Sequence, residues 1–361
     1  MIFKAFSRTF RVFTWTGFFL GILWADSNIR LNYNENPFPV APQVKSAILE
    51  DLEELGRYSG GETRTFLSLL AEKHGASTEN ILLTPGSGPL LEMAGMAWGK
   101  TGRTLVTATP SYGQLTQSWR DHGGKVLEIS LDENLTLDLK AMAEAVSEST
   151  DLVYICNPNN PTGTILPANE LKTFIRRLPD TVVIFVDEAY IELSEGGEDE
   201  NSMVSLLVEK PNLVISRTYS KVYGLAGLRV GYGLMSPALK KELLPYYQGG
   251  PNRLGIAAAQ SGLEDPSWVE ANREAFLRIR KMVTDQLDEW GLRYASPQGN
   301  FIFFETGMPI VDFRRILAQE YNILVGRPFP PYETWCRVSL GTEEEMQAFL
   351  QAAAEVLALN P

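Results

Sequence analysis

The stretch "RTYSKVYGLAGLRVGY", Arg217 to Tyr232, sets one amine, Lys221, among hydroxyl-bearing and glycine residues, with a guanidinium, Arg229, shortly after it. A lysine amine kept partly unprotonated can bond reversibly to a carbonyl carbon. A lone loop lysine is ordinarily a solvated charge, so its neighbours must carry the case. Asp187 closes the apolar run "VVIFV", where a carboxylate is costly to bury unless a cation meets it. Tyr190 follows closely. The loop "NPNNPTG", Asn157 to Gly163, ends another apolar run with amides and two prolines, and "GSG", Gly86 to Gly88, opens a helical segment. Backbone N–H groups at such a helix start gather anions.

One ligand would engage all of these groups: pyridoxal 5'-phosphate (PLP). Its aldehyde calls for Lys221, and its ring nitrogen calls for a carboxylate, Asp187, to stay protonated. Its phenolate oxygen needs neutral donors, for which Asn157 and Tyr190 are expected. Its phosphate needs a guanidinium, hydroxyls and a helix start, expected from Arg229, Thr218, Ser220 and the backbone of Gly86, Ser87 and Gly88.

The elements that must position these residues follow an α/β pattern from Arg30 onward. "TRTFLSLLAEKHG" has helical spacing and stops at Gly75. "NILLTPGSGPLLEMAGMAW" predicts a short strand, a glycine turn and a helix. "RTLVTATPSY" and "KVLEISL" predict strands with the helix-like "YGQLTQSWRDHG" between them. "DLVYIC", "TVVIFV" and "NLVIS" are continuous apolar runs, as expected of strands buried on both faces of a parallel sheet. Alternation with helices predicts a mostly parallel, doubly wound sheet with polar motifs at the carboxyl ends of its strands. Later, "SWVEANREAFLRIRKMVTDQLDEWG" predicts one long amphipathic helix, and the rest reads as a compact β-α-β-β-α unit. The expected organisation is residues 28–55 joining a small domain, 56–254 as a large cofactor-binding domain and 255–361 as the small domain. "SEGGEDENS" reads as an acidic surface loop.

Composition narrows the function. The 361 residues carry 32 Lys and Arg against 44 Asp and Glu, a net charge of −12, which argues against a nucleic-acid partner. Cys156 and Cys336 make no disulfide framework. Only His74 and His122 could serve a zinc site or a histidine-assisted nucleophile, and neither sits in a recognisable motif. Residues 1–27 hold three basic residues and then an apolar stretch short for a membrane span. They read as an export signal, an anchor or an N-terminal arm. Membrane contact is expected only if they anchor the chain; otherwise a cytoplasmic protein is expected.

"NPNNPTG", "DEAYIEL", "RTYSKVYGLAGLRVGY" and "CRVSLG", in that order, closely resemble the fold-type-I PLP-dependent aminotransferases. The similarity is best to the histidinol-phosphate aminotransferase group, whose N-terminal element "RLNYNENPF" also resembles. The resemblance implies Lys221 as Schiff-base lysine and proton shuttle, Asp187 at the pyridinium nitrogen, and Tyr112 stacked on the ring. It also implies Arg337 on the substrate carboxylate, a task suited to a bidentate fork. Arg327 would meet a substrate phosphate, with Asn36 and Tyr33 on the substrate side. Tyr58 would reach the phosphate of a neighbouring subunit, so a homodimer with shared sites is implied. The implied reaction moves an amino group from an amino acid or histidinol phosphate to a 2-oxo acid, 2-oxoglutarate being the expected acceptor. An aromatic amino acid donor is the alternative, with Tyr33, Phe329 and Tyr332 as pocket residues. A decarboxylase or lyase of the same fold, or a non-catalytic PLP-binding regulatory domain, would use the same cofactor residues. The chain departs from the family at Gly88–Pro89, where an acidic or amide residue is usual. It departs again at Ser59, where proline is usual, and at "QGGPNRLG" on the substrate side.

Overall fold

The computed structural model describes residues 28–359. The expected signal, anchor or arm of residues 1–27 lies outside the described residues. In chain order the first half runs β1 (Ile29–Leu31), α1 (Pro42–Asp51), α2 (Gly60–Lys73), β2 (Ile81–Thr84), α3 (Ser87–Trp98), β3 (Thr104–Thr109), α4 (Gln114–Asp121), β4 (Lys125–Ser130), α5 (Leu139–Ala145) and β5 (Thr150–Cys156). The chain continues with α6 (Ala168–Arg177), β6 (Val183–Asp187), α7 (Gly197–Asn201), β7 (Leu213–Thr218), β8 (Gly231–Met235), α8 (Pro237–Leu243) and α9 (Arg253–Leu263). It ends with α10 (Pro266–Glu289), β9 (Phe301–Glu305), α11 (Ile310–Glu320), β10 (Ile323–Val325), β11 (Trp335–Ser339) and α12 (Glu343–Val356).

One seven-stranded sheet has the order β2-β8-β7-β6-β5-β3-β4. The five strands β3 to β7 are mutually parallel, and the unbroken apolar runs of β5, β6 and β7 suit strands that helices cover on both faces. β8 runs antiparallel to both β7 and β2. Its sequence, "GYGLM", has no strand-like pattern because two positions cannot carry a side chain. A Cβ at Gly231 would lie 2.5 Å from the carbonyl carbon of Gly86, and one at Gly233 would lie 2.6 Å from Leu90. Helix α3 therefore packs straight onto the backbone of β8.

The carboxyl ends of β5, β6 and β7 fall at Cys156, Asp187 and Thr218, side by side in the sheet. Helix α10 starts at an N-cap, Asp265, whose carboxylate accepts from the backbone N–H of Ser267 and Trp268. It buries Phe276, Ile279, Val283 and Leu287 on one face. Beyond it, β9 pairs antiparallel with β11, and β10 pairs parallel with β1. That last pairing carries the segment after β1 across to the ends of β5, β6 and β7. Among the described residues no helix is long and apolar enough to cross a membrane.

The "SEGGEDENS" loop is not wholly a surface feature. Glu198 reaches inward to the buried Arg217, 2.7 Å away, and also pairs with Lys73. Arg217 is simultaneously bonded to Glu188 at 2.8 Å and Glu192 at 3.2 Å. A buried guanidinium needs such partners, and the acidic loop supplies one of them.

Candidate active site

A cleft of about 890 Å³ opens at the carboxyl ends of these strands. Lys221, Asp187, Tyr190, Thr218, Ser220, Arg229, Ser87, Gly88, Tyr112, Tyr33, Arg327 and Arg337 all line it. Residues far apart in the chain meet here: Lys221 Nζ donates to the carbonyl of Asn34, 187 positions away, at 2.8 Å. Burial, then the positive charges of Arg337 and Arg229, bring the Lys221 amine down to about 7 against the pull of Asp187 and Glu35. The amine is therefore partly free base at neutral pH, as a nucleophile must be. Its Nζ also sits 5.1 Å from the centre of the Tyr190 ring.

Asp187 is 2% exposed, and burial pushes its carboxyl up to about 6. The Ser216 hydroxyl, the Ala189 backbone N–H and Lys221 pull the other way. Tyr190 is held at its hydroxyl by two amides, Asn34 and Asn160, each donating at 3.2 Å. Burial raises the Tyr190 phenol, so it stays a neutral donor.

The anion end is built by α3. Gly86, the N-cap, has φ +89, and a Cβ there would strike the Arg229 guanidinium at 2.3 Å. Gly86 thus does not line the cleft; it lets Arg229 close in behind the helix start. Arg229 donates to the carbonyls of Ala226 and Pro85, and Thr218 Oγ1 donates to Ser220 Oγ at 2.9 Å. With Pro89 in its first turn, α3 keeps its free N–H groups. Gly88 leaves room for Gln114, whose amide would meet a Cβ there at 2.8 Å. That amide accepts from the Tyr112 hydroxyl and donates to Glu92, both at 2.8 Å, so Gln114 fills the place of the missing side chain.

Three more expected residues, Asn157, Asn36 and Tyr332, stand elsewhere. Asn157 does not line the cleft; its Oδ1 accepts from the Leu166 N–H at 2.8 Å and closes the base of the loop. Asn160, three residues on at the loop's tip, faces the cleft instead and accepts from Arg337 Nη1 at 2.7 Å. Asn36 also turns away, donating to the carbonyls of Lys221 and Val222 from behind. Asn34 takes the place expected for it. Its φ of +54, a conformation asparagine tolerates, aims its carbonyl at Lys221 and its amide at Tyr190. Tyr332 packs on Phe303 and Trp335, leaving Tyr33 and Phe329 as the aromatic lining on that side. Tyr58 is fully exposed and takes no part in its own chain's cleft.

The far wall is cationic. Arg337 donates to Asn160 and to the carbonyl of Asn32, and its buried Nε has no partner. Arg327 lies 4.3 Å over the Phe329 ring and donates to the Pro328 carbonyl, while Arg314 Nε reaches the Val325 carbonyl at 3.4 Å. Neither they nor Arg337 or Arg229 has a carboxylate partner among the described residues. In a chain of net charge −12, four unpaired arginines around one cleft point to anionic ligands.

The donor set fits PLP at each of its functional groups: an amine for the aldehyde, a buried carboxylate for the ring nitrogen, and a glycine-lined helix start with Arg229 for the phosphate. Residues 26–352 match the sequence model described as Aminotransferase class I and II. A histidinol-phosphate aminotransferase of Brevibacillus brevis is 36% identical over 91% of this chain and 90% of its own. The crystal structure of a protein described as a putative histidinol-phosphate aminotransferase, from Erwinia carotovora atroseptica, superposes with a TM-score of 0.87. It is 31% identical, over 91% of this chain and 96% of that one. A Sinorhizobium meliloti histidinol-phosphate aminotransferase solved in complex with pyridoxal-5'-phosphate gives 0.85 at 28% identity, over 91% and 90%.

Proposed function

The chain belongs to the class I and II aminotransferases, and on that premise we propose that it binds PLP in this cleft and moves the amino group of histidinol phosphate to a 2-oxo acid. Bound there, the cofactor would supply an electron sink for the charge that develops at the donor's Cα. Lys221 would hold the cofactor and, when the donor's amine takes its place there, would accept the Cα proton on Nζ and later return it. Its amine, brought down to about 7, suits both halves of that task. Asp187 would hold the ring-nitrogen proton. Tyr190 and Asn160 would serve the phenolate oxygen, and Tyr112 would cover one ring face. Ser87, Thr218, Ser220 and Arg229 would hold the phosphate.

The donor's identity rests on the arginines. Arg337 is buried and fixed by Asn160, as a group that orients one anion must be. Arg327 and Arg314 lie on the same wall, without a carboxylate partner among the described residues. Histidinol phosphate has no carboxylate: its phosphate is its one anion and these arginines together would take it, whereas an aromatic amino acid offers a carboxylate and an apolar ring. Phe329 and Tyr33 favour an aromatic donor as the second reading. We further propose a homodimer in which the partner's equivalent of Tyr58 completes each site. The exposed row Leu49, Leu52, Leu55 and Tyr58 supports it, since such a patch asks for cover.

Purified enzyme supplied with PLP should transfer amine from histidinol phosphate to 2-oxoglutarate with kcat/KM well above that for phenylalanine. Amine transfer from phenylalanine alone would move the assignment to the aromatic donor. No transfer from either, with intact cofactor absorbance, would overturn the reading.

A further inference from the structure

Strand β7 reads "LVISRT", and Ser216 breaks its apolar run at a position with no solvent exposure. A hydroxyl buried there is costly unless it is bonded. Register explains its partner. In the parallel pairing of β6 with β7, Asp187 stands opposite Ser216, so both side chains leave the same face. Ser216 Oγ donates to Asp187 Oδ1 at 2.6 Å, and it is the one side chain among the described residues that donates to that carboxylate. Asp187 lines the cleft while Ser216 does not.

We propose that Ser216 is a positioning residue for the transamination site: it holds one oxygen of Asp187, turns the other toward the cofactor's ring nitrogen, and keeps the carboxylate ionised. The inference rests on the PLP reading above. A carboxyl buried on the sheet face that also carries Phe185, Val214 and Cys156 would otherwise favour its neutral form, which cannot keep a ring nitrogen protonated. A hydroxyl donor stabilises the charged form without adding a charge that would compete for Lys221. The other titratable groups that feel Asp187 are Lys221, Glu188, Cys156, Tyr112, Tyr154 and Tyr190, and a change at Ser216 leaves all of them in place.

The test compares wild-type, Ser216→Ala and Ser216→Cys holoenzymes by cofactor dissociation constant and by the pH midpoint of the bound cofactor's visible band. In Ser216→Ala the dissociation constant should rise about tenfold, the size of one charge-assisted hydrogen bond. The visible band should titrate at higher pH, because a less positive ring withdraws less charge from the group linked to Lys221. Ser216→Cys, a weaker donor of similar volume, should shift both readouts the same way by less. If Ser216→Ala does not fold, the Cys variant decides alone. Unchanged affinity and midpoint in the folded variants, with a normal wild-type band, overturn the role of Ser216. A wild type with no cofactor band overturns the PLP reading itself.

Discussion

Replacing Lys221 by Met should abolish turnover and, in the cofactor-free protein, raise stability. A lysine whose pKa falls from 10.5 in the unfolded chain to about 7 in the fold is a source of strain. The folded state binds fewer protons than the unfolded state between those values, so stability rises with pH across that window. The cost of holding Lys221 is about 4–5 kcal/mol at pH 6.5 and about 1 kcal/mol at pH 9.5. Met keeps most of the aliphatic stem but forfeits the bond from Nζ to the Asn34 carbonyl, at about 1 kcal/mol. The variant should therefore gain roughly 3 kcal/mol at pH 6.5 and nearly nothing at pH 9.5. Urea denaturation of wild-type and variant apoprotein at the two pH values measures this directly. The difference between the pH values is the cleaner quantity, because groups shared by both proteins cancel. A variant equally destabilised at both would show that Lys221 titrates as an ordinary lysine, and the account of its nucleophilicity would fall with it.

The remaining predictions concern the residues around it. Arg217→Met leaves Glu188 and Glu192 buried without their cation, and unfolding should become easier by about 3–5 kcal/mol at pH 8. The loss should shrink toward pH 5 as Glu192, whose carboxyl burial raises to about 7, takes up a proton, which denaturation at both pH values will report. Asn160→Ala removes a donor to Tyr190 and the acceptor for Arg337, so kcat/KM should drop at least about tenfold. Asn157→Ala should leave steady-state kinetics near wild type while lowering stability by about 1–2 kcal/mol. Arg327→Gln should cut kcat/KM for histidinol phosphate by about 10- to 100-fold and that for phenylalanine far less. Equal losses for both donors would place Arg327 outside the recognition of a distal anion.

The architecture was legible because its signals are local. Unbroken apolar runs announced β5, β6 and β7, helical spacing with a stop at Gly75 announced α2, and an amphipathic pattern announced α10. The chemical types at the site were legible for the same reason: Lys221, Asp187 and Arg229 each follow directly from a strand end or a glycine turn. Choosing among identical side chains was not. Asn157, Asn159 and Asn160 share one loop, and only its folded path decides that Asn157 pins Leu166 while Asn160 meets Tyr190 and Arg337. The asparagines of "NYNEN" pose the same problem, resolved by the left-handed backbone at Asn34.

Other residues were hidden because their meaning lies across strands. Ser216 looks like a flaw in an apolar run until register sets it opposite Asp187. Glu198 looks like one acid in a solvated loop until the chain folds back and Arg217 proves to be buried. Ser216 and Arg217 are polar residues in a buried strand that gives them no reason to be there. Such a residue is expensive in isolation, so its persistence in a buried strand argues for a partner on a neighbouring element. The same reasoning runs forward: Arg337 Nε and Asn32 Oδ1 are buried, polar and unpartnered beside the cleft. Each lacks the partner that Ser216 and Arg217 have within the protein. A donor presenting an acceptor to the first and a hydrogen to the second would satisfy both. A substrate carrying an anion near an N–H or O–H group meets that requirement, and a purely apolar side chain does not.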